Sequence, residues 1–556
     1  MIIANHLPAL QVLIPFFGAL FSAINKRNNF ARIIAIISTF LGFALSIYGL
    51  WVAKFGLSYA FGNWPAPIGI EYKLDYLNQP SIVFINGVLL FFLAFCHDLT
   101  KSTILNFINK KRQHLFYSIL LFAHSGNLGM VSTNDLFNLY VFLEIASLTS
   151  YVLMAQGENK QAVVGAFDYL ILGTIGATLI LIGIGFLLSY TGSLNITDIK
   201  ERLIGHYTDT IVIVGASFFL IGCILKTAFF PMHFWMMRTY IGSPPVILTY
   251  LASISSIIGI YIIWRFIHFG LDYKEIFISL SSFLRPIALI AIIFCSWAAF
   301  RTPSIKKIVV YSSATQIGYM FLLVSITGTE QILFQLLIAD SINKIALFLI
   351  ISQYNINSAR DHGMWWCGLV IINLICSAGL PLSGMFIVKI NILDLLIKNH
   401  LILEFIIVTI GSCISLLYHY KIAISFFSNT NENEKIFTKV NISGLFFITL
   451  FQFVTLLFVS QDVNINNLPL NSAPDIQRDV MKYEKDEAQK SAAYLNLGKE
   501  KKNTELTYNS STGGEFGPSY ILWLEKNLSI NSPLILQHEF KITAAWLRHN
   551  IWYKQL

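Results

Sequence analysis

Hydrophobic positions along this chain fall into long runs, without the alternating stripes of a soluble domain. The runs lie at 7–24, 30–52, 79–96, 114–132, 134–156, 164–190, 210–230, 245–267, 274–299, 308–327, 331–352, 367–397, 401–427 and 441–460, about fourteen in all. A helix needs roughly 20 apolar residues to cross a hydrocarbon core about 30 Å thick. Runs this long and this numerous do not fit one buried core. Within lipid only helices and closed barrels satisfy every backbone polar group. The pattern therefore predicts an all-α polytopic membrane protein of about 14 transmembrane helices. The first run, Leu7 to Leu20, has no basic stretch ahead of it and reads as a span, not as a cleavable signal.

Two runs are interrupted. Pro231 follows the run that contains Lys226, and Pro381 interrupts the run that contains Lys389. Proline inside a helix removes a hydrogen bond and crowds the preceding turn, at a cost of about 3 kcal/mol. In a membrane the freed carbonyls must meet protein or water, so a broken helix implies a cavity at mid-depth. A simple kink is the alternative for one proline. Two, one in each half of the chain and each near a lysine, point to an inverted-repeat transporter. After Ser460 the chain turns polar, with EKDEAQK at 484–490, KEKKNTE at 499–505 and a Gly513-Gly514 pair. That composition reads as a solvated or disordered tail. Its end, KITAAWLRHNIWYKQL at 541–556, fits an interfacial amphipathic helix, a partner-binding segment or an exposed helix without a role.

Composition agrees. Of 556 residues 55% are hydrophobic and only 12% charged, with a mean hydropathy of +0.64. The formal charge of +8 and pI near 9.0 would suit nucleic acid, but the basic residues sit in short loops between apolar runs, where they report topology. Nucleic acid is set aside. One set of alternate loops carries fourteen Lys and Arg, among them Lys26, Arg27, Lys101 and Lys306; the other carries six, among them Lys73 and Arg202. The richer set is expected to be cytoplasmic, which places both termini in the periplasm of a bacterial inner membrane. The six cysteines form no CxxC pair, so no disulfide framework, metal site or iron–sulfur site is readable. No nucleotide motif, no catalytic triad and no histidine pair for haem is apparent, so no cofactor is expected and any redox chemistry belongs to a partner.

The candidate chemistry is charge placed in oil. Glu144 lies in NDLFNLYVFLEIASLTSYVLM, residues 134–154. A carboxylate at mid-membrane costs about 2.5–3.5 kcal/mol on insertion scales, so it is paired or functional. Lys226, Asp340, Lys344 and Lys389 recur at similar depth, with His233 and Asp168 as weaker members. Burial favours the neutral form of each such group and a nearby opposite charge favours the ionised form. Making and breaking a Glu–Lys pair thus toggles the proton affinity of both partners, the physics of a proton relay. Asp340 and Lys344 are four apart, on one helical face, and can pair with each other. His233 is either a capping residue beside Pro231 or a relay member. Asp168, near a predicted helix start, is expected closer to the interface.

These stretches carry a resemblance. TNDLFNLYVFLEIASLTSYVLMAQG, residues 133–157, resembles the fifth span of the antiporter-like subunits of respiratory complex I, membrane-bound hydrogenases and Mrp-type cation/proton antiporters, and is most similar to the D-type subunit of the Mrp antiporters. TGSLN at 191–195, KTAFFPMHFW at 226–235, SPP at 243–245, IKKIVVYSSATQIGYM at 305–320, KIALFL at 344–349 and GLPLSGMFIVK at 379–389 follow in order. The resemblance covers roughly residues 70–430 and not the tail. It implies two inverted five-helix repeats with broken seventh and twelfth spans. Glu144, Lys226, Lys344 and Lys389 then match the family's fifth-, seventh-, eleventh- and twelfth-span groups, and Lys226 is the expected partner of Glu144. The chain divides accordingly into N-terminal helices (1–113), a first repeat (114–270), a second repeat (271–430), a last helix (431–460) and the polar extension (461–556). Three departures stand out. Ile257 occupies the position of an eighth-span lysine or histidine. Asp340 replaces an eleventh-span histidine. Trp235-Met236-Met237-Arg238 replaces W-L-P-D. The implied function is proton translocation in a complex with other membrane subunits, coupled to Na+ or K+ exchange. The rivals are a proton-pumping subunit of NADH-quinone oxidoreductase or a hydrogenase, and a non-conducting structural paralogue.

Overall fold

A computed structural model of the chain describes residues 6–53, 56–75, 78–96, 112–156, 160–271, 273–354, 363–381, 383–428 and 445–452, with Thr100, Lys101, Ile104 and Ile108 besides. The chain separates into two units, Met1–Val463 and Asn464–Leu556. The polar extension, including its 541–556 end, lies outside the described residues.

The first unit is built of helices. In order they are α1 (Leu7–Ile24), α2 (Asn28–Val52), α3 (Asn78–Phe95), α4 (Gln113–Ser132), α5 (Leu136–Met154), α6 (Lys160–Thr191), α7 (Ile196–Leu203), α8 (Thr210–Lys226), α9 (Phe234–Gly242), α10 (Pro245–Arg265), α11 (Tyr273–Arg301), α12 (Ile305–Val324), α13 (Glu330–Tyr354), α14 (Gly363–Ala378), α15 (Gly384–Lys398) and α16 (Ile402–Ser428). Residues 445–452 are also helical. Among the described residues eleven helices are long and apolar enough to cross a membrane, and the apolar stretches Thr210–Lys226 and Trp366–Ala378 are shorter. The protein is a multi-pass, all-α membrane protein. The two short pieces are the leading halves of the interrupted runs, which is why they fall below bilayer length.

Burial sorts the helices. The most apolar windows of α10 and α12 are 89% buried, and those of α4 and α13 83%, against 33% for α2 and α16. These four are the inner helices. The less buried ones expose Phe40, Ile47, Phe167, Phe283, Ile406 and other large apolar side chains, as expected where lipid is the solvent. These inner helices carry several buried polar residues: His124 on α4, Ser253 and Ser256 on α10, Asp340 and Lys344 on α13.

One extramembrane knot sets the starting point of α5. Strands β1 (Leu57–Ala60) and β2 (Glu71–Leu74) pair antiparallel. Glu71 on β2 accepts hydrogen bonds from Asn134 Nδ2 at 2.9 Å and Asn195 Nδ2 at 2.8 Å. Asp135 caps α5 by accepting from Asn138 N at 2.7 Å, and Asn195 caps α7 by accepting from Thr197 N at 3.0 Å. Such caps satisfy the orphan amides of a helix start. Burial raises the pKa of the Asp135 carboxyl, and the backbone amides of Asn138 and Phe137 oppose the shift. Glu144 lies nine residues beyond this cap. At 1.5 Å per residue that is about 13 Å along the axis, close to half of a hydrocarbon core about 30 Å thick.

Candidate functional site

Both interrupted spans are broken beside their lysines. Helix α8 ends at Lys226 and α9 begins at Phe234. The link between them passes through Ala228, which has a positive φ of 55°. Its Phe229 stacks on Phe321 of α12 with centroids 3.8 Å apart. Trp235 Nε1 donates to the Leu225 carbonyl at 3.1 Å, so the trailing half supplies a partner for an orphan acceptor of the leading half. In the second break α14 ends at Ala378 and α15 begins at Gly384. Ser383 accepts from Phe386 N at 3.2 Å and caps α15.

Lys226 is held on α5. Its Nζ donates to Ser147 Oγ at 2.7 Å and to Tyr151 Oη at 3.3 Å. Two glycines of α6 make room for this cluster. A Cβ at Gly173 would fall 2.0 Å from Tyr151 Oη, and one at Gly176 would touch Lys226 Cγ at 3.4 Å. Tyr151 packs edge-on against Tyr169, which stacks on Trp235 at 4.2 Å. The residues that surround the lysine and those that cap its helix are therefore one packed unit.

The expected Glu144–Lys226 pair is not closed in this structure. No ion pair within 4.0 Å joins them, and Glu144 makes none among the described residues. Glu144 is half-buried. The reason is geometric. Ser147 and Tyr151 are three and seven residues beyond Glu144 on α5, so all three share one stripe. The lysine occupies the hydroxyl end of that stripe, about 4.5 Å along the axis from the carboxylate position.

The second charged group is closed. Lys344 Nζ lies 2.6 Å from Asp340 Oδ2, both buried on α13, and also donates to Ser256 Oγ of α10 at 3.0 Å. Ser341 Oγ reaches the Ser253 carbonyl at 2.7 Å. Ile257, the departure noted in the sequence, is buried beside Ser256. A Cβ at Gly259, one turn beyond Ser256, would fall 2.2 Å from Thr227 Cγ2. The end of α8 and the Lys344 ammonium thus meet α10 one turn apart. Lys389 Nζ folds back from α15 to the Ala378 carbonyl at 3.2 Å, at the C-terminal end of α14, where the helix dipole favours a cation. Gly379 makes this possible: its φ is +77° and a Cβ there would meet Lys389 Nζ at 3.1 Å.

His233 and Asp168 stand apart from this row. The His233 ring is buried among Phe230, Phe234 and Phe294. It occupies the cap position of α9 without a side-chain cap bond. Asp168 pairs with the largely exposed Arg238 at 3.0 Å.

Sequence reasoning did not single out Ser147, Tyr151 or Ser256, although the first two sit at helical spacing from Glu144. It also passed over His124, whose Nδ1 meets Tyr250 Oη and whose Nε2 meets Asn86 Oδ1, each at 3.0 Å. The buried Arg265–Asp75 pair at 3.0 Å joins residues 190 apart, and no local pattern announces it.

With this geometry in view, comparison with known proteins is decisive about family. Residues 133–415 match the family described as NADH:quinone oxidoreductase/Mrp antiporter, TM. The chain belongs to that family. It is 32% identical over 322 residues to the N-type subunit of NADH-quinone oxidoreductase from Desulforudis audaxviator, covering 57% of this chain and 63% of that protein, just under two thirds of its length. It is 28% identical over 436 residues to the D-type subunit of the Na(+)/H(+) antiporter from Alkalihalophilus pseudofirmus, covering 73% and 84%. Among solved structures, a chain of the archaeal membrane-bound sulfane sulfur reductase superposes with a TM-score of 0.72 at 21% identity, covering 85% of this chain and 97% of that one. A chain of the Mrp complex from Dietzia sp. superposes with a TM-score of 0.69 at 19% identity, covering 79% and 83%. At such identities these two likenesses speak for the fold alone. Within the family match lie both breaks and Glu144, Lys226, Asp340, Lys344 and Lys389.

Proposed function

We propose that this family member translocates protons as an antiporter-like subunit of a multi-subunit membrane complex, of the Mrp D type, exchanging protons for Na+ or K+. The relay residues are Glu144, Lys226, Lys344 with Asp340, and Lys389, and His233 is a peripheral member at the first break. The observation that carries the reading is Lys226 itself. It is a lysine at the end of a broken helix, hydrogen-bonded to two hydroxyls, one turn from a carboxylate that makes no ion pair among the described residues. Swinging Nζ from Ser147 to Glu144 closes an ion pair, raises the lysine's proton affinity and lowers that of the carboxylate. Swinging back reverses both. The lysines at the ends of the row sit at helix breaks, where irregular backbone at membrane depth must be buried in protein or line a water-filled cavity. In this reading residues 114–270 and 271–430 are the two inverted repeats, and both termini face the periplasm.

Membership of a redox complex is the second reading, and the 32% identity to an N-type subunit of NADH-quinone oxidoreductase supports it. The same helices would then be driven by electron transfer in partner subunits. Proton and Na+ flux in vesicles carrying the products of the neighbouring genes separates the two. Flux that requires a Na+ or K+ gradient favours antiport, and flux that requires NADH and quinone favours the redox complex. Glu144→Gln is expected to abolish coupled flux while membrane insertion persists. Undiminished flux in that variant removes Glu144 from the mechanism.

A further inference from the structure

Past Lys389, one turn of α16 gathers buried polar atoms that the relay above does not use. Ser415, Tyr418 and His419 are 2%, 0% and 4% exposed. His419 Nδ1 lies 2.8 Å from the Ser415 carbonyl. A carbonyl only accepts, so Nδ1 carries the proton and Nε2 holds a lone pair. Among the described residues that buried Nε2 has no hydrogen-bond partner, and the buried Tyr418 Oη and Ser415 Oγ have none but each other. Unsatisfied buried polar groups are costly, and several on one helical turn imply something bound between them.

The surroundings say what binds. The charge of Lys389 acts on His419, and Tyr418 lies within electrostatic reach of Asp340 and Tyr319. Tyr319 Oη is itself tied to α16, donating to the Val408 carbonyl at 3.3 Å. A metal cation is disfavoured, because the nearby Lys389 ammonium repels it and Asp340 is already closed on Lys344. Water fits, since it both donates and accepts and fills polar internal sites with two to four hydrogen bonds.

We propose that Ser415, Tyr418 and His419 hold bound water joining the Asp340–Lys344 pair to Lys389, and that His419 Nε2 is a proton acceptor on this path. The inference rests on the relay reading above. In the step, a Lys389 Nζ–H bond breaks and its proton passes to the water. That water gives one of its own protons to Nε2. Lys389 becomes neutral, His419 becomes a cation, and no electrons change hands. Loss of the Nε2 proton to water on the Tyr418 side resets the ring.

The test uses the whole complex in proteoliposomes. Tyr418→Phe removes one hydroxyl and His419→Gln removes the ring base. His419→Gln is expected to lower proton flux about a hundredfold or more, the lower end of the range for loss of a proton-transfer group, and Tyr418→Phe about tenfold, the effect of one hydrogen bond, with assembly on native gels unchanged. A high-resolution map of the native complex should place water within hydrogen-bonding distance of Tyr418 Oη and His419 Nε2, and Tyr418→Phe should lose it. Flux within about twofold of native in both variants, while Glu144→Gln abolishes flux, overturns the inference and leaves the relay reading standing. If Glu144→Gln also leaves flux intact, the relay reading falls and takes the inference with it. If His419→Gln does not assemble, Tyr418→Phe decides alone. Density at the site whose occupancy follows Na+ concentration would overturn the assignment to water.

Discussion

Ser147→Ala tests the toggle at its least conspicuous part. The substitution touches no charge, yet it deletes the shorter of the two hydrogen bonds that hold Lys226 away from Glu144, 2.7 Å against 3.3 Å to Tyr151. A hydrogen bond to a charged group contributes about 1.5–3 kcal/mol. Since 1.36 kcal/mol is a factor of ten, the balance between the hydroxyl end and the carboxylate end of the stripe should shift roughly ten- to hundredfold toward Glu144. A relay that must visit both ends is slowed by being held at one. Proton flux in proteoliposomes should therefore fall by about tenfold or more, with native levels of assembled protein. Glu144→Gln removes the competing end, so its effect and that of Ser147→Ala should be strongly non-additive, as expected of residues that act as a unit. Flux within about twofold of native for Ser147→Ala, or losses that simply add in the double variant, would refute the two-ended stripe.

Three further outcomes follow from the same geometry. Lys226→Ala should lower flux as far as Glu144→Gln does, and the double variant no further; two partial losses that multiply in the double variant would assign the two groups separate roles. Asp340→Leu and Lys344→Leu should each lower thermal stability by about 3–5 kcal/mol, because each strands a buried charge, whereas the double replacement should lie near native; melting of the purified complex reads this, and equal losses in singles and double would contradict it. Gly379→Ala forces a side chain into a left-handed backbone at a cost of about 1–2 kcal/mol and crowds Lys389 Nζ; flux should drop more than melting temperature does, and native flux would mean that Lys389 needs no seat on the end of α14.

The membrane architecture was legible in the residue order because the bilayer imposes it locally. A span must be long, apolar and helical wherever it lies in the chain, so the runs, the two broken helices at Lys226 and Lys389, and the i, i+4 pairing of Asp340 with Lys344 could be read without coordinates. Sequence also marked Glu144 and the lysines, since ionisable residues in apolar runs are conspicuous. Which partner each charge takes was a different matter. Lys226 rests on Ser147 and Tyr151 instead of Glu144 because glycines on a third helix leave the tyrosine its place. Lys344 reaches Ser256 across 88 positions, and Arg265 reaches Asp75 across 190. Contacts of that kind depend on how helices lie side by side. No period within a single helix encodes them, and only the packed bundle brings them together.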